Sequence, residues 1–374
     1  MNKEPIRILH VLQRMEAGGT QALLMNIYRN IDRSKVQFDF LVEYTDKEFY
    51  DDEILSLGGK IYYTNLRKDK NILKFEKYLK RIIKENNYKV IHVHTYSIGY
   101  FVLKTAKKCG VPVRIAHSHN NQTIKDGKYI IKLIMQKLYT IHATDLFACS
   151  LEAGQYLFRK KEFKVLNNSI NSESFIFNNI YRKEILNEFK FSEDDYIVIH
   201  VGRFHEQKNH EFLLKIFLSI KEKKKNSKLL LVGNGPLKYK IEKKIHEYGI
   251  EDSVFILGNR SDINKLMMAS DIFVFPSLFE GLGIVAVEAQ ASGTPVVCSN
   301  RLPDEVMITP IIKKLSLDDD ADLWSETAIE LSNSQFKHKD LSSYVLNNNY
   351  DVKESAKDME KFYIKKYDEG VIHE

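Results

Sequence analysis

Two carboxylates with seven residues between them stand out in "FPSLFEGLGIVAVEAQASGTPVV", which runs from Phe275 to Val297. Glu280 precedes Gly281-Leu282-Gly283, and Glu288 follows the apolar run Ile284-Val285-Ala286-Val287. Glycines let a ligand approach the backbone closely, and the free amides of a helix starting near Gly283 or Ile284 suit an anion. A nucleotide diphosphate fits such a loop without a metal ion. Glu280 would then accept hydrogen bonds from sugar hydroxyls. Glu288, about one turn into the helix and in apolar company, needs donors that ribose hydroxyls can supply. A plainer reading makes Glu280 a helix-start acid and pairs Glu288 with a lysine. A second stretch, "VIHVGRFHEQKNHEFLLKIF", sets Arg203 and Lys208 around a strand-end loop that begins with Gly202. Two cations there could neutralise a leaving diphosphate in place of Mg²⁺, or simply be surface charges.

Other groups read less specifically. In "RIAHSHNN", strand alternation points His117 and His119 to the same side. No acid or cysteine nearby in sequence completes a zinc set, so no metal is expected, and His92 and His94 read as lining of an apolar strand. Gly18-Gly19-Thr20 follows the first strand but is not G-x-G-x-x-G. In the plain reading it is a turn with Thr20 as helix cap. "KDGKYIIKLIMQKLY" combines Lys125, Lys128, Lys132 and Lys137 with apolar residues. It reads as a basic amphipathic helix, suited either to an anionic lipid surface or to packing on a sheet. Asp318-Asp319-Asp320 reads as the opening of a helix near Leu323, where acids complement the helix dipole.

The elements that position these residues alternate. Apolar, β-rich runs at 6–12, 38–42, 60–63, 90–94, 113–117 and 145–149 are separated by helical patterns such as 20–31, 72–85 and 98–109. After a polar stretch the pattern restarts, with strands at 197–201, 229–232, 254–257, 272–275 and 295–298 and helices at 211–224, 237–248, 263–269 and 284–292. Strands alternating with helices imply parallel sheets covered on both faces. Two such runs predict an α/β protein of two doubly wound Rossmann-like domains facing across a cleft, with ligands beyond the carboxyl ends of the strands.

Composition is ordinary for a globular chain of 374 residues, 44% hydrophobic and 28% charged. That length favours about two domains. No apolar run reaches the roughly 20 residues that span a bilayer, and the N-terminus lacks the apolar centre of a signal peptide. Cys109, Cys149 and Cys298 follow no metal spacing and read as reduced thiols of a cytoplasmic protein. The net charge of +6 hides a split. Residues 1–170 carry an excess of 12 positive charges and the remainder an excess of 6 negative ones. A basic half suits a polyanionic partner such as an anionic membrane, nucleic acid or phosphorylated substrate, or is a solvated lysine-rich surface.

Taken in order, these motifs resemble the retaining GT-B glycosyltransferases of family four over nearly the whole chain. Glu280 and Glu288 resemble the family's E-x7-E pair, and "VGRFHEQKNH" its donor-phosphate loop. "LLLVGNGPLKYKIE" resembles its glycine turn at Gly233–Pro236, and "VFILGNRSDINKLMMASDIFVFPS" the segment that holds the base. "VLNNSINSESF" is similar to its interdomain segment, with Ser169 and Asn171 where the family has Gly and Asp.

The resemblance is closest to bacterial exopolysaccharide or capsule transferases. It implies an acceptor domain at 1–170, a linker at 171–195, a donor domain at 196–349 and a C-terminal helix, 350–374, returning to the first domain. It implies catalytic roles for His119, Glu280, Arg203 and Lys208. Donor contacts would come from Gly18, Gly19, Thr20, His117, Gly202, Gly233, Asn234, Arg260, Gly281, Leu282, Gly283, Ile284 and Glu288. One histidine should lie beside the donor sugar; His119 is nearer the strand's end, and His117 is the alternative. The implied reaction is metal-independent, without a cofactor. It transfers sugar from a nucleotide sugar, UDP-linked, to a lipid-linked saccharide at the inner face of an anionic membrane, with no nucleic acid partner. Rival readings are a non-hydrolysing UDP-sugar 2-epimerase, which lacks the paired-glutamate block, and a non-catalytic nucleotide-sugar-binding partner of another transferase.

Overall fold

The computed structural model describes residues 4–16, 18–119 and 129–372. The chain forms two compact units, one made of Met1–Ser169 with Val352–Glu374 and the other of Ile170–Asp351.

The first unit holds strands β1 (Ile6–Leu12), β2 (Val36–Val42), β3 (Ile61–Tyr63), β4 (Val90–Val93), β5 (Val113–Ser118), β6 (Asp145–Ala148) and β7 (Lys164–Val165). They make one parallel sheet in the order β3-β2-β1-β4-β5-β6-β7. Alternate residues of each strand feed opposite faces. Ile8, Phe38, Val90 and Ile115 pack under helices Gly19–Asn30 and Val352–Ile372. Leu9, Leu41, Ile91 and Ala116 pack under Ile72–Glu85 and Tyr96–Lys108. Both faces are covered, so the strands read as near-continuous apolar runs. Each fully buried Leu, Ile, Val or Phe contributes about 1.5–3 kcal/mol.

The second unit holds β8 (Tyr196–Val201), β9 (Ser227–Val232), β10 (Val254–Gly258), β11 (Ile272–Phe275), β12 (Val296–Ser299) and β13 (Ile312–Leu315). These also form a parallel sheet, in the order β10-β9-β8-β11-β12-β13. One face, with Val198, Leu229, Ile272 and Val274, lies under helices His210–Lys223 and Ala321–Leu331. Asp320 caps the latter, its carboxylate accepting from the Leu323 amide at 2.8 Å. The acidic run there is a helix start.

In each sheet the strand order reverses at one point, between β1 and β4 and between β8 and β11. Ligands of doubly wound sheets bind at such points, beyond the carboxyl ends of the strands.

The structure adds detail at several boundaries. Residues 171–195, expected as an interdomain linker, contain the helix Asn179–Phe189, which packs on Ile263–Ala269 within the second unit. The first helix begins at Gly19 with Gly18 at its cap position, so Thr20 lies inside it and does not cap it. The C-terminal helix runs over Val352–Ile372 and packs on Gly19–Asn30. Strand β7 went unread because it has only two residues, and β13 because its sequence, IKKL, sets two lysines in the middle of the run.

Candidate functional site

In the second unit, the loops after β8, β9 and β11 are tied together by their own backbones. The Phe204 amide donates to the Asn234 carbonyl at 2.9 Å, and the Leu278 amide to the Gln207 carbonyl at 2.8 Å. Gln207 donates its side-chain amide to the Phe279 carbonyl at 2.9 Å, and Asn209 its own to the Pro276 carbonyl at 3.2 Å. Glycine is required where these loops meet. A Cβ on Gly233, at φ +133°, would lie 2.2 Å from the Gly202 carbonyl oxygen. One on Gly202 would press on the Lys208 stem at 3.0 Å.

This framework joins Lys208 and Glu280. The Lys208 ammonium donates to Glu280 Oε1 at 2.7 Å and sits 4.6 Å from the Phe275 ring centroid. Glu280 is buried, 6% exposed, and the Lys208 ammonium is the cation it faces there. Arg203 is exposed on the same loop. Gly283, at φ +84°, turns the chain into helix Ile284–Ala291, in whose middle Glu288 lies partly buried. Desolvation pushes the Glu288 carboxyl up to about 7. Gly281 and Leu282 are buried in the turn, and Asn234 is exposed. Arg260, expected as a donor contact, forms ion pairs within the second unit. Its guanidinium holds Glu188 at 2.7 Å and Asp262 at 2.7–2.8 Å, tying helix Asn179–Phe189 to the loop after β10.

In the first unit, the sheet gathers five histidines on the face covered by Gly19–Asn30 and Val352–Ile372. Register pairs His10 with His92 across β1 and β4, and His92 with Ile115 across β4 and β5. Two-residue steps then bring His94 beside His117 and His119. His10 Nδ1 lies 3.0 Å from His94 Nε2, and His94 Nδ1 lies 2.9 Å from His119 Nε2. His92 Nε2 lies 3.1 Å from His117 Nδ1, and His92 Nδ1 lies 2.7 Å from the Tyr363 hydroxyl. Burial lowers the pKa of all five, His10 and His119 to about 3, so the rings are neutral at pH 7. His117 and His119 are stacked, with ring centroids 4.0 Å apart, so the structure places both in one cluster.

Comparison with known proteins then identifies the chain. Residues 17–202 match the family described as Glycosyltransferase Family 4, and residues 181–348 match Glycosyl transferases group 1. The glycosyltransferase EpsF of Bacillus subtilis (strain 168) is 39% identical over 339 residues, covering 87% of this chain and 88% of the relative. The chain belongs to the family 4, group 1 glycosyltransferases.

The capsular polysaccharide biosynthesis glycosyltransferase CapH of Staphylococcus aureus is 25% identical over 96% of the chain and 99% of its own length. An Escherichia coli relative named UDP-Gal:alpha-D-GlcNAc-diphosphoundecaprenol alpha-1,3-galactosyltransferase is 25% identical over 59% of the chain and 60% of its length. Among solved structures, Anabaena HepE in complex with UDP and glucose superposes with a TM-score of 0.78. It covers 96% of this chain and 99% of that one at 16% identity, a likeness of fold: the GT-B fold with two Rossmann-like domains.

The remaining expected residues of this glycosyltransferase are dispersed in the first unit. Gly18, Gly19 and Thr20 start the helix beyond β1, with Gly19 exposed. Lys125 and Lys128 lie outside the described residues. Lys132 and Lys137 belong to helix Tyr129–Tyr139, on which Lys137, Ile130, Ile131 and Ile134 are exposed. No helix among the described residues is long and apolar enough to cross a membrane.

Sequence reasoning missed three features. His10 went unnoticed because nothing in β1 sets it apart from its apolar neighbours. Ser277, just before the glutamate loop, is fully buried with a hydroxyl that has no hydrogen-bond partner. A cavity of about 640 Å³ lies beside helix Ile72–Glu85, with Phe75 and Tyr78 in its wall and Lys74, Lys77, Arg81 and Lys84 around it.

Proposed function

We propose that this glycosyltransferase moves a sugar from a UDP-sugar to a lipid-linked saccharide in exopolysaccharide or capsule biosynthesis. The observation that carries the reading is the Lys208–Glu280 pair, held by tied loops at the switch point of the second sheet. Arg203, Lys208 and the amides at the start of helix Ile284–Ala291 take the diphosphate charge, which leaves no role for a divalent cation there. Glu280 holds hydroxyls of the transferred sugar, and Glu288 holds the ribose. His119, neutral at pH 7, offers the sugar a hydrogen bond and no charge.

Transfer retains the anomeric configuration. The acceptor oxygen bonds to the anomeric carbon on the face from which the phosphate departs, and the acceptor's proton passes to that phosphate. Glu280 suits positioning better than nucleophilic attack, because one of its oxygens is already engaged by Lys208. The names of the relatives support the substrates: capsular polysaccharide for CapH, and UDP-Gal with a diphosphoundecaprenol-linked sugar for the E. coli relative. The lysine-rimmed cavity and the exposed isoleucines of helix Tyr129–Tyr139 suit a lipid diphosphate and an anionic membrane surface on the cytoplasmic side.

The test is incubation of purified protein with a panel of UDP- and GDP-sugars and a polyprenyl-diphosphate-linked sugar. Products are read by mass spectrometry and the new linkage by NMR. An α-linked product from an α-linked UDP-sugar is expected. Release of a free epimer without acceptor, or an inverted linkage, overturns the reading.

A further inference from the structure

The donor chemistry proposed above uses one histidine of the first unit, yet the sheet gathers five. Neutral imidazole is a poor core filler. Three ring nitrogens in the cluster, His10 Nε2, His117 Nε2 and His119 Nδ1, are buried with no hydrogen-bond partner. A buried polar atom left unpaired costs about 1–3 kcal/mol. Of these three nitrogens, His117 Nε2 belongs to a ring clustered with the facing pair His94 Nδ1 and His119 Nε2, where a ligand that accepts lone pairs would satisfy it.

We propose that His94, His117 and His119 bind one divalent transition-metal ion of the zinc type. One ring nitrogen from each lies within 4.8 Å of the other two. His94 Nδ1 and His119 Nε2 already face each other at 2.9 Å, and His117 has Nε2 unpartnered. Tetrahedral zinc, with Zn–N of about 2.0–2.1 Å, separates its ligand nitrogens by roughly 3.3 Å, so the first pair opens slightly and the third nitrogen closes by at most about 1.5 Å.

The outer partners are also in place. His10 Nδ1 holds the far nitrogen of His94, and His92 holds the far nitrogen of His117 with Tyr363 behind it. Metal-binding histidines are oriented by such hydrogen bonds on their second nitrogen. All three donors are nitrogen, which favours zinc, nickel or copper over Mg²⁺ or Ca²⁺. His10, His92 and His94 form an overlapping trio, but all three are buried. His119 is partly exposed, which gives the ion a way in and leaves a fourth position open.

Occupancy would engage His119 Nε2. Resting on the assignment of His119 to the donor sugar, bound zinc inhibits transfer. The ion is therefore a regulator of the site and not its cofactor.

Metal-stripped full-length protein titrated with Zn²⁺ by calorimetry at pH 7.5 should bind one equivalent. Co²⁺ should develop the intense visible bands of a four-coordinate site made by three imidazoles and a water. His119→Ala and His117→Gln should each weaken binding at least tenfold. His246→Ala, which removes an exposed surface imidazole, should leave binding unchanged. Should His117→Gln fail to fold, His119→Ala carries the test, since that ring lies past the end of β5. The site is overturned if wild type binds zinc no more tightly than His119→Ala, or if Co²⁺ keeps the spectrum of its aquo ion. Tight binding without inhibition supports the site and overturns the His119 assignment.

Discussion

At the scale of single residues, the Lys208–Glu280 contact separates roles that look alike in the sequence. Arg203 is exposed, whereas Lys208 is packed over Gly202 and paired with a buried acid. Both Arg203→Ala and Lys208→Ala should lower turnover roughly tenfold to a thousandfold, as loss of transition-state charge stabilisation does. They should differ in stability. Lys208→Ala strands the buried Glu280 and should cost about 1–3 kcal/mol in urea unfolding, while Arg203→Ala should cost little; equal stability losses would contradict this geometry. Glu280→Gln should mainly depress kcat, and Glu288→Gln should mainly weaken UDP binding. Glu288 adds a pH signature. Its folded pKa is raised to about 7, so below that value it is protonated and offers the ribose one acceptor fewer. UDP affinity should fall about tenfold from pH 8 to pH 6, and that part of the fall should vanish in Glu288→Gln. A calorimetric titration series in which both proteins follow the same pH curve would remove Glu288 from the nucleotide site.

At the scale of elements, the donor loop depends on how helix Ile284–Ala291 begins. Gly283 sits at φ +84°, where a side chain costs about 1–2 kcal/mol. Gly283→Ala should therefore destabilise the second unit by that amount and weaken UDP binding by misaiming the first helical amides; unchanged melting and unchanged UDP affinity would show that the helix start does not need this turn. If Arg203, Lys208 and this helix start carry the diphosphate, activity should survive EDTA. Complete loss, restored by Mg²⁺ or Mn²⁺, would overturn the metal-free assignment. Most elements were legible because their periodicity is strong. Helix Ile72–Glu85 and strands Ile6–Leu12 and Ile272–Phe275 fall where the apolar pattern puts them. Helix Asn179–Phe189 was not legible. It buries only Arg182, Ile185 and Leu186, too few apolar positions to stand out in a polar stretch.

At the scale of the whole molecule, buried histidines should make folding acid-sensitive. In the second unit, burial holds His200 well below its usual range, and His210 and His338 at about 4. The unfolded chain protonates these rings near pH 6.5. Stability from keeping them neutral is complete above that value and is lost as pH falls from about 6.5 towards about 4, by up to about 1.4 kcal/mol per pH unit for each ring. Urea midpoints should fall steeply between pH 7 and pH 5. His210→Phe, which keeps the stacking on Phe204 and removes two unpartnered buried nitrogens, should flatten that slope; a slope identical to wild type would show that His210 does not stay neutral. The chain's own order of residues determined much here. Alternating apolar runs dictate parallel sheets with covered faces, and the glycine turn between Glu280 and Glu288 marks a strand-to-helix loop that can meet a ligand. Alternation within one strand also put His117 and His119 on a common side. Tertiary structure alone decided what these residues touch. A strand's pattern sets which face a side chain takes, but only register between strands distant in sequence sets its neighbour on that face. Pairing of His10 with His92, and of His92 with Ile115, turned three unremarkable strand ends into a five-histidine cluster. Hydrogen bonds between segments distant in sequence likewise gave Glu280 to Lys208 and Glu188 to Arg260. Partners chosen across 72 residues of chain leave no local trace.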